Sequence, residues 1–314
     1  MRVAFVGVGR HATTSLYPAI RPAGLELVAT CSRHLDAAQA QATAFGAHRA
    51  HAGVASLLEE ADTFDAVLVS VAPDAYADIV VACLEAGKPV FTEKPGAATA
   101  DDFDRIEAAS RRTELPVMVG YMKRFARAYR RALEFTRSPE FGGVTSIHGK
   151  FVMGPGFGSL RNYLVDNPVH MIDLMRMFAG EVVEVQAMGR TMDDQRHALS
   201  LLLRFADGAV GTAQLGTTAS FFQENELLEV IGDGHSVTVT NVDTVACRRP
   251  QGVVEVDRPT YTVPLKANFT GDVMGFVPEL EHFRAVVMDG AACESDATSA
   301  RRTLDVVQQV LEQL

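Results

Sequence analysis

The chain opens on Arg2-Val3-Ala4-Phe5-Val6-Gly7-Val8-Gly9-Arg10-His11-Ala12, and this stretch decides how its first hundred residues are read. A short apolar strand runs straight into Gly-x-Gly-x-x-Ala, with a helical pattern behind it. Gly7 permits a tight turn, Gly9 leaves room for a pyrophosphate to reach the backbone, and the small Ala12 lets the next helix pack close to the strand. Backbone N–H groups at that helix start, around Arg10 and His11, carry partial positive charge and suit phosphate oxygens. The alternative is a glycine-rich turn with a purely structural role.

Outward from this turn, residues 25–30, 66–71, 89–92 and 117–119 read as further strands, and residues 35–45, 75–86 and 100–111 as helices between them. Such alternation specifies a parallel sheet with helices on both faces. The pattern changes after a linking helix near 124–137. Segments 144–152, 182–188, 198–205, 209–215, 227–231 and 236–245 then follow as strands, with hairpin signals at Asp207-Gly208 and Gly232-Asp233-Gly234. One helix, near 168–178, is embedded among them, and helices at 277–288 and 297–311 close the chain. The expected fold is α/β plus α+β. A Rossmann dinucleotide-binding domain covers 1–120, and a mostly antiparallel sheet domain covers 121–314, its last helix packing back on the first domain. One face of the second sheet lacks an evident intrachain cover, so a homodimer or homotetramer is expected.

The 314 residues, 47% hydrophobic and 22% charged, suffice for two globular cores. A net charge of −10 argues against nucleic acid or an anionic membrane as general partners, though not against a locally held anionic cofactor. Cys31, Cys83, Cys247 and Cys293 are widely spaced and read as reduced, packed residues. Arg10 ends the first apolar run and Asp78 interrupts the most apolar helical stretch, so neither a signal peptide nor a membrane span is read, and the cytoplasm is the expected compartment. His48-Arg49-Ala50-His51 has metal-like spacing but no companion ligands; it reads as surface loop, and no metal is expected.

The second strand runs into Cys31-Ser32-Arg33-His34, with no carboxylate before Asp36. An acidic side chain there would hold the ribose 2′-hydroxyl and repel a 2′-phosphate. Ser32 and Arg33 suit the phosphate instead, so NADP(H) is favoured over NAD(H). The alternative is a merely solvated Arg33. Further on, Thr92-Glu93-Lys94-Pro95-Gly96 places Lys94 at the carboxyl end of a parallel strand, where open sheets bind ligands. Asp166-Asn167-Pro168-Val169-His170-Met171-Ile172-Asp173 opens the embedded helix. Spacings of four and three predict Asp166, His170 and Asp173 near one helix face, unless Asp166 is the N-cap.

These segments, in this order and with Gly120-Tyr121 and Arg124-Phe125 between them, resemble the glucose-fructose oxidoreductase, inositol dehydrogenase and rhizopine-catabolism (Gfo/Idh/MocA) family over essentially the whole chain. The resemblance implies an NAD(P)-dependent oxidoreductase acting on CH–OH groups of a sugar, cyclitol or related polyol. It implies that Lys94 and His170 bracket the reacting carbon with Asp166 in support. It also implies that Ala72, Glu93 and Lys94 join the glycine loop, Ser32 and Arg33 around the cofactor. The chemistry agrees: an imidazole transfers protons near neutrality, and a lysine ammonium stabilises developing alkoxide. Lys94 as an ordinary surface lysine and His170 as a core histidine are the bland alternatives.

Asp173 is expected to orient His170 or bind substrate, and Arg176 to be solvated or domain-bridging. The run Gly158-Ser159-Leu160-Arg161-Asn162-Tyr163-Leu164-Val165 departs from the tryptophan-bearing segment of many family members. Arg161, Asn162 and Tyr163 are expected to contact substrate, the alternative being a surface cluster. Lys123 and Arg124 add a cationic edge, or Arg124 pairs with a carboxylate and packs. Two competing functions are a non-catalytic nucleotide-binding regulator and an enzyme that uses tightly held cofactor for internal redox, such as a glycosidase or epimerase.

Overall fold

Runs of consecutive apolar residues without alternation mark strands buried on both faces, and the first sheet is built of them. In this computed structural model, which describes residues 1–219, 225–252, 254–259 and 270–314, its strands are β1 (Arg2–Val6), β2 (Glu26–Ser32), β3 (Arg49–Ala52), β4 (Ala66–Val69), β5 (Val90–Glu93) and β6 (Val117–Gly120). All pair in parallel in the order β3-β2-β1-β4-β5-β6. Every residue of β4, β5 and β6 is buried. The direction of winding reverses between β1 and β4, the place where open sheets of this kind leave a crevice at their carboxyl ends.

The connections carry α1 (Tyr17–Ile20), α2 (Leu35–Phe45), α3 (Val54–Leu58), α4 (Tyr76–Glu85) and α5 (Ala100–Thr113). In α5, Thr99 caps the start by accepting from Asp102 N at 3.1 Å. Asp101 and Asp102 lie in its first turn and Arg111 and Arg112 in its last, which matches the helix dipole at both ends. The surface loop expected at 48–51 is instead the edge strand β3, with His51 buried and its Nδ1 3.3 Å from Ser56 Oγ. Arg-Ala-His-Ala lacks β-branched residues, so pairing with β2 rather than local propensity makes it a strand.

The remainder of the chain carries α6 (Arg127–Thr136), β7 (Ser146–Val152), α7 (Leu160–Asp166), α8 (Val169–Ala179), β8 (Val182–Thr191), β9 (His197–Phe205), β10 (Val210–Gly216), β11 (Asn225–Ile231), β12 (Ser236–Thr240), β13 (Thr244–Arg248), β14 (Val254–Asp257) and α9 (Thr270–Met274), followed by α10 (Phe276–Asp289) and α11 (Ala297–Glu312). The eight strands order as β14-β13-β12-β11-β7-β10-β9-β8, antiparallel except for the parallel pair β7–β10. Segment 236–245 is two strands rather than one. Asn241 (φ 49°) and Val242 (φ 67°) turn the chain between them, and nothing in the sequence marks a β-branched residue for that conformation. Likewise α8 is preceded by a separate helix, α7.

One face of this sheet is covered. The side chains of Leu199, Leu201 and Leu203 on β9 and of Leu228 and Val230 on β11 point into the core. α8 packs over β7 where Gly149 and Gly211 leave room: a Cβ on Gly149 would sit 2.9 Å from Met171 Sδ, and one on Gly211 3.1 Å from Met175 Cε. The other face leaves Met188, Leu202, Val210 and Val256 exposed.

Two compact units result, Met1–Met122 with Phe276–Arg302 and Lys123–Gly275 with Thr303–Leu314. Within the stretch 121–314 read as the second domain, α10 and the start of α11 cluster with the first unit.

Candidate active site

In the first unit the carboxyl ends of β1, β2, β4 and β5 bring together the sequence-predicted cofactor residues. Gly7 has φ 115°, and a Cβ there would stand 1.9 Å from Ser70 O, so only glycine permits this approach of two strand ends. Tyr17 OH donates to Gly7 O at 3.1 Å from within the core. At Gly9 the space a Cβ would occupy meets no atom within 4 Å, so the backbone there is open to approach. Ala12 is fully buried, which lets the helical run sit tight against the sheet.

At the end of β2, Ser32 Oγ donates to His34 O at 2.6 Å and accepts from His34 N at 3.1 Å, which shapes the turn that presents exposed Arg33. Burial pushes the neighbouring Cys31 thiol up to about 11, so it stays a packed thiol beneath the loop. Ala72 is exposed beyond β4, before the turn Pro73–Ala75.

Glu93 ends β5 at 3% exposure, and its Oε2 accepts the Lys94 backbone N–H at 3.1 Å. His11 Nε2 lies 3.1 Å from Glu93 Oε1. That hydrogen-bonding carboxylate raises the His11 pKa above its ordinary value, against the opposing effects of burial and of nearby Lys94. Glu93 thus ties the glycine loop to the lysine, a link that sequence spacing does not reveal.

In the second unit α8 carries His170 in its first turn, buried at 5% exposure, with its N–H donating to Asn167 O at 3.0 Å. Asp166 does not share that helix. It is the exposed last residue of α7, Asn167 breaks the chain at φ −132°, and Pro168 is the N-cap of α8. The expected common face of Asp166, His170 and Asp173 is therefore corrected to a junction between two helices.

Every residue of α8 except Met177 is buried, so its charges need partners. Asp173 has one in Arg124, which donates from Nε at 2.6 Å and from Nη2 at 2.5 Å, and a second in Thr303 Oγ1 at 3.1 Å. These contacts clamp α8 in place. Arg176 is buried rather than solvated; it donates to Thr303 Oγ1 at 2.5 Å and pairs with Glu181. Lys123 pairs with buried Glu226, which also accepts from Tyr129 OH at 2.7 Å. The cationic edge expected of Lys123 and Arg124 is thereby neutralised inside the unit.

Of the substrate-facing trio, Arg161 and Asn162 are exposed at the start of α7, Arg161 Nη1 reaching Gln308 Oε1 at 3.3 Å. Tyr163 is a core residue instead. Its hydroxyl donates to Phe151 O at 3.0 Å and accepts from Gly216 N at 2.7 Å, which removes it from the candidate substrate contacts. Among the described residues no group of three or more His, Cys, Asp or Glu side chains is placed to hold a metal, and no helix is long and apolar enough to cross a membrane.

This architecture has its counterpart in known proteins. Residues 1–121 match the oxidoreductase family with NAD-binding Rossmann fold, and residues 129–238 match the GFO/IDH/MocA C-terminal domain. The chain belongs to the Gfo/Idh/MocA oxidoreductase family. It is an NAD(P)-dependent oxidoreductase. Among relatives of this Gfo/Idh/MocA member, the myo-inositol 2-dehydrogenase of Thermotoga maritima is 26% identical over 267 residues, 80% of this chain and 79% of that one. The 4-carboxy-2-hydroxymuconate-6-semialdehyde dehydrogenase of a Sphingobium species is 26% identical over 71% of this chain and 76% of its own length. Among solved structures, a dehydrogenase from Chromobacterium violaceum shares the fold at a TM-score of 0.90 and 22% identity, covering 99% of this chain and 94% of that one. An Agrobacterium radiobacter oxidoreductase in complex with NAD+, L-tartaric acid and magnesium does so at 0.86 and 17%, covering 100% and 96%.

Proposed function

We propose that this oxidoreductase moves a hydride between NADP(H) and a CH–OH or carbonyl carbon of a sugar, cyclitol or related polyol. The observation that carries the reading is Lys94. It stands at the carboxyl end of β5, its backbone fastened to buried Glu93, on the strand-end edge that also holds the opening at Gly9. The nicotinamide, when bound, supplies or accepts the hydride. The Lys94 ammonium stabilises charge that develops on the substrate oxygen, and His170 takes up or returns its proton, with Asp166 in support. Arg161 and Asn162 are the contacts for substrate hydroxyls or a substrate anion. The inositol dehydrogenases among its relatives favour a cyclitol or sugar. Ser32 and exposed Arg33, with no carboxylate at the end of β2, favour the 2′-phosphate of NADP(H).

The test is oxidation of NADPH and of NADH over a panel of inososes, keto-sugars and sugar phosphates. Turnover of one such substrate with NADPH supports the reading; a preference for NADH overturns its cofactor half, and no turnover of any panel member overturns its substrate half. The open face of the second sheet, with Met188, Leu202, Val210 and Val256, is proposed to pair with a second copy in a cytoplasmic homodimer or homotetramer. Light scattering that finds a monomer at micromolar concentration refutes this.

A further inference from the structure

Glu279 lies on the apolar side of α10, between Phe276 and Phe283, and is 0% exposed. Among the described residues neither of its carboxyl oxygens has a hydrogen-bond partner. The Phe276 ring lies 5.8 Å from that of His11 and the Phe283 ring 5.8 Å from that of Phe91, so the face of α10 that carries Glu279 is turned toward the end of β5, where Glu93 is itself buried. Two buried carboxylates in one low-dielectric region repel each other, which favours a proton on one of them. The surroundings decide where it sits. Glu93 receives the Lys94 N–H at 3.1 Å and has His11 Nε2 3.1 Å away, and both favour a carboxylate. Glu279 has neither a donor nor a cation of this kind, so ionising it would leave a bare buried charge.

We propose that Glu279 is a positioning residue for the Glu93–Lys94 segment: it stays a neutral acid, so that Glu93 meets His11 and the Lys94 backbone without a second buried charge beside it. The proposal rests on the reading of Lys94 as the group that stabilises charge on the substrate oxygen. Its structural part concerns the first unit alone. Burial and the Glu93 charge push the Glu279 pKa well above the usual carboxylate range, in the same direction as the geometric argument. Titratable groups beside Glu93 include His11, Lys94 and Tyr76, whose hydroxyl burial holds neutral. The proton on Glu279 thereby sets the charge that His11 meets at the glycine loop and keeps the lysine segment tied to the end of β5.

The test uses the cofactor-free protein, so its failure leaves the hydride-transfer reading standing, and failure of that reading leaves this one standing. Infrared spectra at neutral pH are expected to show a protonated-carboxyl band that Glu279→Gln removes. By NMR titration, His11 keeps its raised midpoint in Glu279→Gln, because the amide is as neutral as the acid it replaces, and falls back in Glu93→Gln. If Glu279 instead carried the charge, Glu279→Gln would let Glu93 ionise and raise the His11 midpoint further, while Glu93→Gln would leave it unmoved; either result overturns the proposal. A third reading follows from linkage. A carboxyl whose folded pKa is raised gives most stability below its unfolded value and loses it as pH rises. The melting temperature of the wild type relative to Glu279→Gln must therefore decline from pH about 4.5 upward. A flat difference overturns the proposal. Should Glu279→Gln not fold, the Glu93→Gln titration decides by itself.

Discussion

Removing the Asp173 carboxylate tests whether this residue clamps a helix or takes part in chemistry. Asp173 is 1% exposed and Arg124 7%, and two charge-assisted hydrogen bonds join them. Asp173→Ala takes away the carboxylate that accepts two hydrogen bonds from the buried Arg124 guanidinium and one from Thr303. Breaking one side of a buried pair costs about 3–5 kcal/mol. For a unit of this size about 2–4 °C of melting temperature accompanies each kcal/mol, so a fall of roughly 6–20 °C is expected. Replacing both partners with apolar groups, Arg124→Met with Asp173→Leu, removes the guanidinium as well and is expected to recover most of the loss. Thermal denaturation followed by circular dichroism, with turnover measured on the same samples well below the transition, separates the possibilities. Turnover per folded molecule should stay within about tenfold of wild type, below the loss typical of a missing acid–base group. A fall of a degree or less, or a double variant as unstable as the single, refutes the clamp. A loss of turnover on the order of 10³-fold without a change in melting temperature returns Asp173 to the chemistry.

Lys94→Ala and His170→Ala should each bind NADPH almost normally while turnover falls by about 10²–10⁴-fold, and the double variant should be little worse than the poorer single one; fluorescence titration and initial rates measure both. Arg33→Ala should weaken NADPH binding by about 1–3 kcal/mol and leave NADH binding nearly unchanged, as for any lost charge-assisted phosphate contact. For His11, whose pKa Glu93 raises, the stabilisation is full below the unfolded value of about 6.5 and is lost as pH climbs through the higher folded value. The melting temperature of wild type relative to His11→Gln should accordingly be highest in acid and shrink with rising pH; a difference that grows with pH contradicts the Glu93 contact. Gly149→Ala should cost about 1–3 kcal/mol, because the new Cβ falls 2.9 Å from Met171 Sδ and 3.0 Å from Met175 Sδ and both side chains must repack under α8. A chemical denaturation midpoint unchanged from wild type would show that α8 has slack there.

The glycine loop and the parallel sheet are legible in the sequence because strands buried on both faces leave unbroken apolar runs and the loop needs glycine for steric reasons that no other residue meets. Lys94 is legible for a similar reason, since its place at a strand end follows from the run before it. The break at Asn167 is less so. Asp166 and His170 keep helical spacing while belonging to different helices, and the one local mark of the φ of −132° between them is Pro168, which disfavours helix at the residue before it. The partners of buried charges are equally hidden: Arg124 meets Asp173 across 49 positions and Lys123 meets Glu226 across 103. A charge within an apolar stripe is the one local hint, and Glu279 shows it, standing among Phe276, Val277, Leu280 and Phe283. Tyr163 gave the opposite signal. Its polar neighbours Arg161 and Asn162 suggest surface, whereas its hydroxyl bridges two strands of the core.

The parallel pair at the middle of the second sheet has a consequence for how the chain reaches its native state. β7 is made early in the chain, yet both of its neighbours, β10 and β11, come much later; His148 and Thr212, side by side across β7 and β10, are 64 positions apart. No hairpin can form that seam. β8, β9 and β10 can assemble locally as a meander, but β7 must wait until α7, α8 and three more strands have been laid down before it has an edge to join. Closing a loop of that length is costly before any contact repays it, so docking of β7 is expected to limit the folding rate of this unit. Until then α8 can meet only the β10 side of the sheet, where Met175 lies over Gly211, and the helix that carries His170 is not fully seated until β7 has docked.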